Sequence, residues 1–374
     1  SGVTDPPTAS SAQLVIRGSA GPVMEISDVL TITSHGEARF SGKISDLDVA
    51  FIQTTPPTPI TTVIAMGNLS ELGLVDVGGS GYAEQTARQR VETILAASQV
   101  SYLNGGDAAI TLKAVAAVDA VTTTAWDGLS AVAVQTGALF FDDPDGRVIF
   151  EDYGNRGLTN FEGTWSAQTS TWAAASGTWA SFPTEITSTT LDSSGVVFNP
   201  VFTKTLEPLI NSVTVGYGTD QTIQQEDSAS IAAYGRREYL LDTEIKTLDD
   251  ATERGANIIT AQANPLWNLG QITILIHELD ATQTTAVLKL VSGSLVIVND
   301  LPAAGPYDAY EGIVEGWSDS YDNGNHTLTL SISDPRFSYQ TLLWSQVLPE
   351  LTWAEVDAAA QWFEIVSNND LVGV

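Results

Sequence analysis

The chain has 374 residues, 43% of them hydrophobic and only 16% charged, and its 45 Asp and Glu against 15 Lys and Arg give a formal charge of −30. That length exceeds one ordinary core, so two or more packed units are expected, and the apolar content argues against wholesale disorder. So negative a chain lacks the Lys/Arg footprint that phosphate backbones and anionic lipids need, and its only adjacent basic pair is Arg236-Arg237. With no cysteine, disulfides, thiolate metal sites and Cys nucleophiles are excluded together. The first residues, Ser1-Gly-Val-Thr-Asp-Pro-Pro7, lack the basic and apolar regions of a signal peptide, and apolar runs such as Leu295 to Val298 are too short to span a bilayer. A soluble chain without a membrane-spanning segment is predicted.

Taken in chain order, the first 75 residues read as strands and turns. Leu14 to Ile16 and Val29 to Ile32 are short β-type runs, and Ala38 to Phe40 lead through Ser41-Gly42 into Lys43-Ile44. A Pro-rich stretch at 54–59 interrupts before a further strand at 61–66. After Gly78-Gly79, read as a linker, the period becomes helical. Ala87, Val91, Ile94, Leu95 and Ser98 share one face, with Arg88, Arg90 and Glu92 expected to turn away. A second helix is predicted over 125–135, with Thr124 as N-cap and Gly137 as its stop. A hairpin follows, pairing 138–141 with 147–150 across Asp142-Asp-Pro-Asp-Gly146.

Residues 155–195 are poor in charge and rich in Thr, Ser, Ala, Gly and Trp, and Thr-Trp recurs there at Trp165, Trp172 and Trp179. This predicts a long decorated loop or an irregular β segment. Beyond it, 211–216 reads as a strand, and a helix capped by Thr247 and Asp250 ends before Asn264-Pro265. Strands are predicted at 271–276, 286–291 and 295–298, and a last hairpin pairs 312–317 with 326–333 across Asp322-Asn-Gly324. The final segment repeats a Trp-led unit at Trp344, Trp353 and Trp362, too few copies for a solenoid and so expected to dock on the body or a neighbour.

No chemistry-bearing constellation emerges. His35, His277 and His326 are far apart, and each reads as an ordinary, partly exposed residue, His277 on a strand face. An EF-hand loop begun at Asp142 or Asp143 would meet Tyr153 or Gly154 where it needs an acidic residue, so a hairpin turn explains the Asp cluster. No catalytic residue, cofactor or metal site is predicted. The indoles of Trp165, Trp172 and Trp179 are read as anchors of a long loop, with stacking on sugars as the alternative.

Four segments carry a resemblance. They are Phe40-Ser-Gly-Lys-Ile-Ser-Asp-Leu-Asp48, Gly137-Ala-Leu-Phe-Phe-Asp-Asp-Pro-Asp-Gly-Arg147, Ser228-Ala-Ser-Ile-Ala-Ala-Tyr-Gly-Arg236 and Leu328-Thr-Leu-Ser-Ile-Ser-Asp-Pro-Arg336. In that order, with the Trp units after them, the chain resembles the minor tail, or baseplate hub, proteins of long-tailed bacteriophages, especially those of actinobacteria. It departs from that family at the N-terminus, where the opening strand looks short or absent.

The resemblance implies a mainly β fold with α+β insertions: two tail-tube-like β-barrel domains plus a mixed α/β domain. The expected divisions are a first barrel at 1–75, a mixed domain at 76–155, a Trp/Thr/Ser-rich linking region at 156–205, a second barrel with one helix at 206–343, and the Trp-repeat segment at 344–374. It further implies a non-enzymatic homotrimer at the tail tip of a virion, joining the tube and tape measure protein to a central fibre or spike and forming part of the channel for DNA exit. Receptor or glycan binding in an adaptor ring is the alternative, and a tail-associated cell-wall hydrolase a further one. The six Trp residues named above are the candidate interface or glycan contacts.

Overall fold

The computed structural model describes residues 9–18, 24–54, 57–100, 102–103, 114–151, 188–192, 196–322 and 324–334. The fold is mainly β with some helices, arranged as several sheets. The first sheet comprises β1 (Ser11–Arg17), β2 (Val29–Ser34), β3 (Glu37–Ile52) and β4 (Thr58–Met66), antiparallel in the order β1-β4-β3-β2. His35 and Gly36, both at positive φ, make the two-residue turn from β2 into β3. The opening strand is present: β1 pairs with β4 along its whole length. β3 runs without a break through Gly42, where a Cβ would come within 2.3 Å of the Met66 carbonyl oxygen. That glycine permits close approach within the strand.

The next unit gathers α1 (Leu69–Leu72), β5 (Asp76–Val77), β6 (Gln85–Thr86), α2 (Ala87–Ser98), β7 (Tyr102–Leu103), β8 (Ala114–Val115), β9 (Thr123–Thr124), α3 (Ala125–Thr136), β10 (Leu139–Asp142) and β11 (Val148–Glu151). Thr86 caps α2 in a reciprocal box with Gln89, and Thr124 caps α3 by accepting from the Asp127 N–H. Gly137, at φ 78°, ends α3 in the left-handed conformation that glycine alone adopts without cost. Leu69, Leu72, Ile94, Leu95, Leu129 and Phe140 form the core of this unit. The glycines read as a linker instead build a tight turn. At Gly78 and Gly81 a Cβ would meet the carbonyl oxygens of Val121 and Val118 at 2.7 Å.

Two strands of the last sheet come next, β12 (Ser188–Asp192) and β13 (Val197–Thr203). A smaller unit then intervenes, with β14 (Ser212–Tyr217), β15 (Gln221–Glu226), α4 (Ser228–Tyr234), β16 (Glu238–Leu241) and α5 (Leu248–Gln262). Its core sets Val213, Val215 and Leu241 of the sheet against Ala251 and Ile258 of α5. Thr247 caps α5 as its spacing predicts, accepting from the Asp250 N–H.

The remaining elements are β17 (Asn268–Leu275), α6 (Ala281–Leu288), β18 (Leu295–Asn299), β19 (Tyr310–Asp322) and β20 (Asn325–Ser333). They complete a six-stranded sheet in the order β12-β18-β19-β20-β17-β13, bent at a bulge between Val314 and Gly316. Ile272, Ile274, Val296, Leu328 and Leu330 pack there with Val287 and Leu288 of α6. The strand expected at 286–291 is therefore a correction, since 281–288 is helical. The reason is local: Asp280 accepts from the N–H groups of Thr282 and Gln283, and the Gln283 side chain returns to the Asp280 N–H. His277, expected on a strand face, lies in a 3-10 turn that closes β17. Replacing Asp280 with Ala should cost about 1 kcal/mol of stability, read as a lower urea midpoint at unchanged slope.

Candidate functional site

Among the described residues three arginines are buried, and each reaches into another unit. Arg39 on β3 is 4% exposed. Its Nε donates to Asp319 Oδ2 of β19 at 2.9 Å, and its Nη1 donates to the carbonyl of Leu288, the last residue of α6, at 2.6 Å. Its guanidinium carbon stands 5.2 Å from the ring centroid of Trp317. The other Asp319 oxygen lies 2.7 Å from His326 Nε2, and the His326 ring stacks on Tyr321 at 4.0 Å. Burial pushes the Tyr321 phenol above its usual range, against a hydrogen bond with Ser34 that lowers it. This network ties the first sheet to the last. It also corrects the reading of His326, which is buried rather than partly exposed.

Arg90 and Arg254 join the α/β unit of α2 and α3 to the smaller unit of α4 and α5. Arg90, expected to turn outward, is 3% exposed. It donates to the carbonyls of Ala83 at 3.3 Å and Ala116 at 2.8 Å and to Glu244 Oε2 at 3.2 Å, with its guanidinium carbon 4.5 Å from the Tyr82 ring centroid. Around it, the Ala116 N–H donates to the Glu244 carbonyl and Lys246 pairs with Glu84. Arg254 of α5 donates from Nε and Nη2 to the Val134 carbonyl at 3.3 and 3.1 Å, in the last turn of α3. A Cβ on Gly137 would stand 2.9 Å from Arg254 Nη1, so a side chain there would strain the backbone and also press on that guanidinium. Neither α3 nor α6 has a basic residue in its own last turn. Their C-terminal carbonyls take positive charge from elsewhere in the chain, which also favours the helix dipole.

A carboxylate makes the fourth junction. Asp142, at the end of β10, accepts from Ser10 N–H at 3.2 Å, Ser10 Oγ at 2.8 Å and Leu69 N–H at 2.9 Å. Burial pushes its carboxyl above the usual range, and the hydrogen bonds from Ser10 and Leu69 hold it back. A folded pKa above the unfolded one gives a contribution to stability that is complete below the unfolded value and lost as pH rises through the folded one. The other two carboxylates of the turn are engaged by Arg147: Asp143 accepts from its N–H and Nε at 2.7 Å, and Asp145 from its Nη2 at 3.0 Å. Among the described residues no group of three or more His, Asp or Glu is placed to hold a metal ion. No described helix is long and apolar enough to cross a membrane.

Trp165, Trp172, Trp179, Trp344, Trp353 and Trp362 lie outside the described residues. The junction residues were not singled out from sequence, although two of them left a signal. Arg90 falls in register with Ala87 and Ile94, and Arg254 with Ala251 and Ile258, each a charge on an apolar helical face. Arg39 left none.

This β-rich arrangement of several sheets is similar to that of solved phage-type tail proteins. The crystal structure of the 43 kDa tail protein of prophage MuSo2 from Shewanella oneidensis matches with a TM-score of 0.60, at 14% identity, over 90% of this chain and 92% of that one. The tail protein from Neisseria meningitidis MC58 matches with a TM-score of 0.58, at 12% identity, over 89% and 90%. At such identities the likeness is one of fold. The sequence matches no protein-family model and no curated protein.

Replacing Arg39 with Ala should destabilise the chain by about 3–5 kcal/mol, because the Asp319 carboxylate and the α6 terminus lose their cation while still largely buried. Urea unfolding followed by Trp fluorescence measures this. A loss under about 1 kcal/mol would mean that the junction is solvated and weak.

Proposed function

We propose that this chain is a structural component of a phage or phage-derived tail, acting at the tail tip as a hub between the tube and a distal fibre or spike. The observation that carries the proposal is a fold shared over about nine-tenths of both chains with two tail proteins, one of them from a prophage. Within it stand two β modules, the four-stranded and the six-stranded sheet, fixed to each other through Arg39. Three such chains would present six β modules, matching a six-fold tube, and a homotrimer follows. We read these modules as the counterparts of the two barrel-like domains of the hub resemblance, the second of them drawing β12 and β13 from the region at 156–205.

The remaining parts take roles consistent with this. Trp165, Trp172 and Trp179 anchor their segment to the body or across a subunit boundary, and Trp344, Trp353 and Trp362 make interface contacts, since exposed indoles forfeit a large burial energy. The charge has a use as well. Three copies of a −30 chain around one channel favour passage of DNA over its capture, because a carboxylate wall repels phosphates that basic residues would hold. The role is structural and not catalytic, and the particle location is the virion tail.

Light scattering of the purified chain, with averaged electron micrographs of assembled tails, tests the reading. The expected result is a trimer at the distal end of the tube, weakened when Trp353 and Trp362 are both replaced by Ala. A six-chain ring would favour an adaptor. Incubation with host cell walls should release no soluble muropeptides or reducing ends, and reproducible release would identify a hydrolase instead.

A further inference from the structure

Strand β3 outruns its neighbour β2. β2 pairs with it only as far as Lys43, and the residues entering β2 add two hydrogen bonds at Ile44. Beyond that point β4 continues to pair one side of β3 to Ile52, while among the described residues no strand lies against the other side. Residues 48–52 are exposed throughout, with Val49 at 57% and Phe51 at 67%. From Val49 to Ser70 the chain carries no charged residue, although the whole is at −30.

Natural proteins blunt such edges with Lys, Pro, a bulge or a covering segment. Here the bulge falls earlier, between Ile44 and Asp46, and leaves the apolar part straight. Among the described residues no strand pairs with the opposite edge of the same sheet, β1, either. Register places Val49 and Phe51 on the face that also carries Leu14 and Ile16 of β1, since Val49 and Ile16 both pair with Thr61, and Leu14 pairs with Val63 opposite Leu47.

We propose that the open edge of β3, residues 46–52, adds to the β1 edge of a second copy of this chain. Joining these edges extends one apolar face across two copies and satisfies both rows of backbone groups. Charge selects the partner. Two chains of −30 repel, so they meet where side chains are neutral, and the few charges present are complementary: Asp46 and Asp48 on β3, Arg17 on β1. Two different edges make the contact head-to-tail, a geometry that forms a ring when its rotation closes and does not form a two-fold dimer. The inference deepens the proposed trimer and rests on it for the number of copies.

Sedimentation of the full chain over a concentration series, with far-UV circular dichroism as a folding check, tests it. Phe51→Asp should weaken association by about thirtyfold or more, the size expected for loss of a buried aromatic anchor. Phe51→Leu should restore it. Val121→Asp, at a residue equally exposed but on the α/β unit, should leave it unchanged. The chain has no native cysteine, so mixing a Val49→Cys copy with a Leu14→Cys or Ile16→Cys copy should give a mixed interchain disulfide under mild oxidation. A trimer that Phe51→Asp leaves intact overturns the interface while sparing the stoichiometry. A wild-type hexamer that Phe51→Asp dissociates supports the interface and overturns the trimer, whereas a closed wild-type dimer overturns the head-to-tail contact. A wild-type chain that stays monomeric at every concentration, or one that links only Val49→Cys to itself, overturns the proposal.

Discussion

Buried positive charge is the constraint on which this structure depends. The chain has three acidic residues for every basic one, yet it places Arg39, Arg90 and Arg254 inside, each with at least one donor on a group from another part of the fold. A buried guanidinium is costly unless its donors find acceptors. Arg39 is held through Nε and Nη1 and Arg90 through Nη1 and Nη2, while Arg39 Nη2 and Arg90 Nε have no hydrogen-bond partner among the described residues. Carbonyls at helix ends are in turn short of donors. Each side thus supplies what the other lacks, and separating the units would strand both. Apolar packing forms the individual cores, while these arginines fix how the cores sit together.

The same logic explains where glycine is indispensable. Gly137 ends α3 at positive φ and also leaves room for Arg254 to reach Val134. At Gly67, a Cβ would come within 2.2 Å of Ser10 Oγ and Asp142 Oδ2, so that residue keeps open the space in which Asp142 receives its donors. Local conformation and long-range contact are set by one residue in each case.

Elements with an intrinsic signal were legible in the sequence. The Thr-capped helices α2, α3 and α5 and the hairpins across Asp142 to Gly146 and across Asp322 to Gly324 follow from caps, turn residues and period alone. The strand expected at 286–291 fails because the largely apolar run from Ala286 to Val291 suits a strand, whereas the Asp280–Gln283 box that decides the matter lies before it. The junctions were largely illegible for a different reason. Nothing near Arg39 in sequence foretells Asp319 or Leu288, since that meeting exists only once two sheets are placed. Arg90 and Arg254 could have been noticed as charges on apolar faces, but their acceptors could not.

The six-stranded sheet has a consequence for how the chain is made. Its edge strands β12 and β13 come early, and β13 is separated from its neighbour β17 by an entire unit with a core of its own. Ser188 cannot find Leu295 until that unit and α6 have been synthesised. Contacts of such long range are slow to form, because loop closure opposes them before any burial offsets it. The inserted unit, with its local β14–β15 hairpin and capped α5, can fold first and bring the ends of β13 and β17 together. On a ribosome, the growing sheet would expose its apolar face until β20 emerged, so the order of synthesis itself makes the last hairpin the step that closes the molecule.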